Sequence, residues 1–138
     1  MDDISNYTYA VISVVIYAII AIVLNAVTGI RKGIAGIAPG ASHQQEYNRF
    51  DYRLDRTYMN TIEMGVLYFA LVGAAILTGA NPFWTNLLAG LGLVFRCLAN
   101  IVYLRGIGKA YGGLRTQIII LTSLCNIGLA ILAIIALV

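Results

Sequence analysis

Charge is what this sequence has least of. Its 138 residues include nine Lys and Arg, six Asp and Glu, and one His. A water-soluble domain of this length needs far more polar surface, so a soluble globular fold is excluded. Basic residues are also missing from particular places. The tail before Thr8 has none, and it carries Asp2 and Asp3 where a secretory signal peptide has Lys or Arg. The apolar run that follows exceeds the roughly 7–15 residues of a signal core, so a retained membrane span is expected. Cysteine is scarce too: Cys97 and Cys125 sit in separate apolar stretches, as small buried side chains do, which argues against a disulfide or a nucleophile. No metal site is expected.

What fills the chain instead is hydrocarbon, since 60% of it is hydrophobic. A bilayer core about 30 Å thick takes roughly 20 apolar residues in a helix rising about 1.5 Å per residue. Four runs meet that length, at about 8–30, 57–80, 83–104 and 116–138. The runs are continuous, whereas barrel strands alternate over about ten residues, so helices are expected. The fold class is therefore an all-α integral membrane protein, a single domain of four transmembrane helices over 1–138. The single Trp84 stands beside the uncharged Asn81-Pro82 turn and suits an interfacial anchor.

Orientation follows from the positive charges. The loop 31–56 and its flanks hold Arg31, Lys32, Arg49, Arg53 and Arg56, and the loop 105–115 holds Arg105, Lys109 and Arg115. By the positive-inside rule both loops are cytoplasmic and both termini lie on the other side. The net charge of +3 is thus a topology signal, and no nucleic-acid partner is expected.

The first loop divides in two. Lys32 to Ser42 is rich in Gly and Ala, contains Pro39, and is expected to be irregular. His43 to Arg56 is polar, has no helix breaker, and is expected to extend the second helix beyond the membrane surface. Along that helix Arg53, Arg56, Asn60 and Glu63 are spaced i, i+3, i+7 and i+10. At about 100° per residue they share a stripe roughly 80° wide, with Glu46 and Arg49 on or beside it. A snorkelling helix end accounts for Arg53 and Arg56. Asn60 and Glu63 lie deeper, where an unpaired polar group costs several kcal/mol, and that points to a ligand site.

A second stripe lies in the third span, where Arg96, Asn100 and Tyr103 are spaced i, i+4 and i+7. Arg96 has no acid near it in sequence, and Glu63 is the one acidic residue inside a span. Glu63–Arg96 and Glu63–Arg56 are the candidate ion pairs, and a structural tie between helices is the alternative to a ligand site. Arg115 opens the fourth span after the Gly-rich stretch 106–113; it is either a positive-inside anchor or a residue that swings over a pocket.

The run Arg53-x-x-Arg56-x-x-x-Asn60-x-x-Glu63 opening the second of four spans resembles the signature of the MAPEG family, the membrane-associated proteins of eicosanoid and glutathione metabolism. Arg96 followed by Tyr103, and the step Leu114-Arg115-Thr116, extend the resemblance over essentially the whole chain. The resemblance implies a homotrimer of four-helix bundles that holds glutathione between neighbouring protomers. It implies that Glu63 takes the glutathione amino group, that Arg53, Arg56 and Asn60 grip the tripeptide, and that Arg96 and Tyr103 belong to the same pocket. Arg31 looks similar to a basic residue that reaches the ligand from a neighbouring subunit, and Arg115 to the residue that stabilises the thiolate.

The implied activity is a membrane-bound glutathione transferase or peroxidase acting on hydrophobic electrophiles or lipid hydroperoxides. Some features depart from the family's pattern. Met64-Gly65-Val66-Leu67 follows the glutamate where many members have proline, and Ala99 stands where members often have His or Tyr. The interval from Tyr103 to Arg115 is several residues longer than usual, which keeps Arg105 and Lys109 as alternatives for the thiol-activating cation. Two other functions fit the sequence: a non-catalytic scaffold of the same fold that binds lipid or a partner, and a small proton-coupled transporter. Against the transporter, the arginines around Glu63 would repel a cationic substrate.

Overall fold

The computed structural model describes residues 2–38, 40–109 and 112–138. Pro39 and part of the stretch 106–113 lie outside these described residues. After a short turn of helix at Asp2–Ser5, four long helices follow: α1 (Thr8–Ile34), α2 (Phe50–Leu77), α3 (Pro82–Leu104) and α4 (Leu114–Ile135). All four are long and apolar enough to cross a membrane, and among the described residues there is no strand. The protein is an integral, multi-pass membrane bundle. α2 and α3 form its middle, with α3 packed along α4 and α1 lying against α2 and α3.

Most large aliphatic side chains point outward, among them Val15, Ile19, Val66, Val94, Ile127 and Ile131. That is the inverse of a soluble bundle, because lipid tails solvate Leu and Ile as well as a protein core does. Helix association then rests on close packing and interhelical hydrogen bonds, which favour small and hydroxyl-bearing residues at the contacts. The buried face of α2 has this character, with Thr57, Thr61, Gly65, Tyr68, Val72 and Ala75 repeating at helical spacing.

Tyrosines act as cross-ties. The Tyr17 hydroxyl of α1 donates to the Thr61 carbonyl of α2 at 2.8 Å, and Tyr68 donates to the Ala89 carbonyl of α3 at 2.8 Å. Their rings stack with centroids 5.0 Å apart. At the end of the bundle away from the charged loops, Tyr7 donates to the Ala80 carbonyl. There Asn86 of α3 accepts from the Ala10 amide at 2.8 Å and donates to the Asn6 carbonyl at 2.7 Å. Ala10 lies in the first turn of α1, where amides have no partner within the helix, so Asn86 completes that end. The α2–α3 turn is capped by Asn81, whose side chain accepts from the Phe83 and Trp84 amides, with Pro82 in the first turn where no amide is needed.

The first loop departs from the sequence expectation at both ends. α1 continues through Gly33 to Ile34, and α2 begins at Phe50, so His43 to Arg49 is not helical. Glu46 and Arg49 therefore leave the stripe that a continuous helix would have given them. The cause is competition for the backbone. The Asp55 carboxylate accepts from the His43 amide, and the Arg53 guanidinium donates to the carbonyls of Tyr47 and Asn48. Those groups are diverted from helical bonds into contacts with side chains of α2.

Close approach of α1 to α2 depends on Gly65. A Cβ there would lie 2.9 Å from Cε1 of Tyr17, a ring held by its stacking and its bond to Thr61. A Cβ at Gly128 would instead meet the rotatable end of Leu88 at 2.8 Å. Gly65→Ala should therefore destabilise the detergent-solubilised protein by about 1–3 kcal/mol in a thermal or denaturant unfolding series, and Gly128→Ala by clearly less.

Candidate functional site

At the Arg-rich end of the bundle, the C-terminal part of α1, the first loop, the start of α2 and the facing ends of α3 and α4 enclose an open cavity of about 1170 Å³. The residues lining it include Asn25, Lys32, Arg56, Tyr58, Tyr103 and Arg115. A second, much smaller cleft of about 10 Å³ lies between α2, α3 and α4 and is lined by Asn60, Arg96, Asn100, Tyr103 and Arg115, among others. Tyr103 and Arg115 line both, so the two spaces adjoin. The Arg115 guanidinium lies 3.8 Å over the Tyr103 ring, a cation–π contact that orients it without using its N–H donors. Tyr47 adds its own ring 5.8 Å from that of Tyr103.

The structure thus brings Arg56, Asn60, Arg96, Tyr103 and Arg115 to one connected region. Arg105 and Lys109 are exposed and line neither cleft. Three other residues stand apart. Glu63 lies on the outer surface of α2, on the apolar part of the helix, with Ile62, Val66 and Leu67 exposed around it. Its helical stripe is turned roughly 120° from the buried face of α2, taking about 100° per residue. Arg31 is exposed at the end of α1, pairs with Asp51 at 2.8 Å and lies 4.8 Å over the Phe50 ring. Arg53 is committed inside its own chain: Nη1 bonds the Tyr47 and Asn48 carbonyls at 2.9 and 2.8 Å, and Nε approaches the Leu104 carbonyl at 3.3 Å. It ties the first loop to the end of α3.

Neither candidate ion pair forms. Among the described residues the ion pairs are Arg31–Asp51, Lys32–Asp55 and His43–Asp55. Glu63 points outward from α2 while Arg96, on α3, is turned into the bundle with 2% of its surface exposed, so those two do not meet.

Sequence reasoning missed the cluster around Asp55. This carboxylate is 4% exposed; one oxygen accepts from the His43 amide at 2.9 Å and meets the ring Nδ1 at 2.8 Å, and the other lies 3.5 Å from Lys32 Nζ. The cluster pins the loop onto α1 and α2 and forms one wall of the large cavity, which Lys32 and Asp55 both line. Its one sequence signal was an acid inside an arginine-rich turn. The partner lies twelve residues earlier, in a segment whose pattern suggested helix.

Removing the Asp55 carboxylate leaves the buried His43 amide and ring without an acceptor. Asp55→Ala should therefore cost about 3 kcal/mol. It should also raise amide hydrogen exchange across residues 43–49, while the exchange of α3 stays as in the wild type.

The chain was compared with known proteins. No curated protein and no solved structure matches it. The family model described as "MAPEG family" does, over residues 7–135, which takes in all four helices and every residue of the two clefts. Its members are membrane proteins associated with glutathione and eicosanoid metabolism, some catalytic and some not. By that match, carried over nearly its whole length, the chain belongs to the MAPEG family.

Proposed function

We propose that this protein is a glutathione-dependent transferase or peroxidase that works as a homotrimer on hydrophobic electrophiles or lipid hydroperoxides. The observation that carries the reading is the position of Arg115. It is a half-buried guanidinium with no ion pair among the described residues, oriented by Tyr103, and it lines both the large cavity and the cleft beside Asn60. A free thiol has a pKa of about 8.5 and is a weak nucleophile until ionised. A guanidinium beside the sulfur favours the thiolate without giving up a proton itself.

Glutathione carries two carboxylates and one ammonium. Arg56 and Arg115 on the cavity wall suit the carboxylates, because a guanidinium matches their geometry with paired hydrogen bonds. The ammonium needs an acid, and Glu63 is the one carboxylate at membrane depth. An exposed carboxylate among Ile62, Val66 and Leu67 is costly to leave against lipid tails, so a second copy of the chain is expected to cover it. The ligand would then lie between copies, with Asn60 and Glu63 from one wall and Arg31 as a cation reaching in from a neighbour. Apolar substrate would reach the sulfur from the lipid, and glutathione would enter from the cytoplasmic side, where the arginine-rich end is expected to lie.

A second reading is favoured by Arg53 and Arg31, two expected ligand cations that are engaged within the chain. It is a non-catalytic member of the family that binds lipid or a partner and lacks thiol activation. Equilibrium binding of glutathione to detergent-purified protein, read together with ultraviolet thiolate absorbance, separates the two. On the catalytic reading, Arg56→Ala and Glu63→Gln each weaken binding about tenfold or more, as expected for a lost charge-assisted bond. Arg115→Ala keeps binding within a few fold and loses the thiolate band. Binding without any thiolate band in the wild type would support the scaffold, and no binding at all would defeat the glutathione-dependent reading.

A further inference from the structure

Arg96 poses a problem that the proposed glutathione site does not solve. Its side chain is 2% exposed, and its Nε and Nη2 have no hydrogen-bond partner. Arginine does not lose its proton in proteins, so this is a full positive charge inside a membrane bundle. Such a charge is tolerated when an opposite charge sits beside it. No acid lines the cleft around it. Asp51 and Asp55 are paired elsewhere, and Glu63 faces outward. Because Arg96 is already covered by its own chain, a neighbouring copy could not supply the counter-charge by packing against it.

The groups that do face Arg96 are neutral or positive. Tyr17 of α1 is its polar neighbour and Arg115 of α4 a nearby cation. Asn100, one helical turn along α3 and 7% exposed, has an amide nitrogen with no partner. The Thr61 hydroxyl donates to the Thr57 carbonyl at 2.7 Å and touches the Asn100 side-chain oxygen at 3.3 Å. Whichever way that amide is turned, it brings no charge. The cleft measures about 10 Å³, the scale that holds one water-sized particle. A carboxylate or phosphate is too large for it as it stands. Tyr103 and Arg115 line both this cleft and the open cavity, so the cleft adjoins a cavity with cations on its wall.

We infer that the cleft between α2, α3 and α4 is a binding site for a monatomic anion, held as the counter-ion of Arg96 with Asn100 and the inner side of Arg115. The ion of that kind available to the protein is a halide from solution. The inference is independent of the glutathione reading.

The test is run without thiol, in gluconate buffer titrated with chloride or bromide at constant ionic strength. Wild-type Tm in detergent should rise saturably by about 3 °C, since an ion that binds the folded state stabilises it. Arg96→Met should abolish the rise. Asn100→Asp, which builds a counter-charge into the cleft, should have a Tm in gluconate at or above that of the wild type and respond to neither halide. Asn100→Asp also keeps the test decisive if Arg96→Met does not fold. A halide rise that survives in Asn100→Asp overturns the inference, as does a wild type whose Tm is indifferent to halide.

Discussion

A charged or polar group carried to membrane depth has to be answered by another group, because lipid tails supply no hydrogen bonds and no counter-ions. Nearly every feature of this bundle follows from how that demand is met. Tyr17, Tyr68 and Asn86 direct their polar atoms to backbone groups on other helices and thereby fasten the helices together. Thr57, Thr61 and Thr122 direct theirs to carbonyls four residues earlier in their own helices. Some polar side chains at this depth have atoms left without a partner among the described residues, Asn100 and Asn126 included. Arg96 and Glu63 are among them, one turned inward and the other outward.

Those two residues divide the molecule's functional surface. The outward acid calls for something beyond the protomer, and the inward cation calls for something small enough to enter it. Between them, Arg56, Tyr103 and Arg115 line a cavity whose walls hold more positive than negative charge. The one acid on that wall, Asp55, is already occupied by His43 and Lys32. The cavity's electrostatics therefore suit an anionic, water-borne ligand, while the aliphatic outer surface of the bundle meets the lipid. On the proposed function, a polar cosubstrate and an apolar one would approach the same point from different phases.

The arginines also show that one residue type does several jobs within a few helical turns. Arg53 holds the first loop in place through backbone carbonyls, and Arg31 ties the end of α1 to the start of α2. Arg56, three residues after Arg53, lines the cavity. Spacing on a helix made these three look alike. Their environments separate them, since the loop folds back over one and leaves another facing solvent.

From sequence alone, the four spans and the all-α membrane class were legible, because runs of some twenty apolar residues have no other stable setting. The two polar stripes were legible as well, because helical periodicity places Arg56 with Asn60 and Arg96 with Tyr103 wherever the helices end up. What local periodicity could not carry was the rotation of each helix against its neighbours. That rotation turned Glu63 away from Arg96, so that expected ion pair did not form. Nor could it carry contacts closed over a distance: His43 to Asp55, Arg53 to the end of α3, and Arg115 over Tyr103. Those depend on which loop crosses which helix end, and only packing in three dimensions decides that.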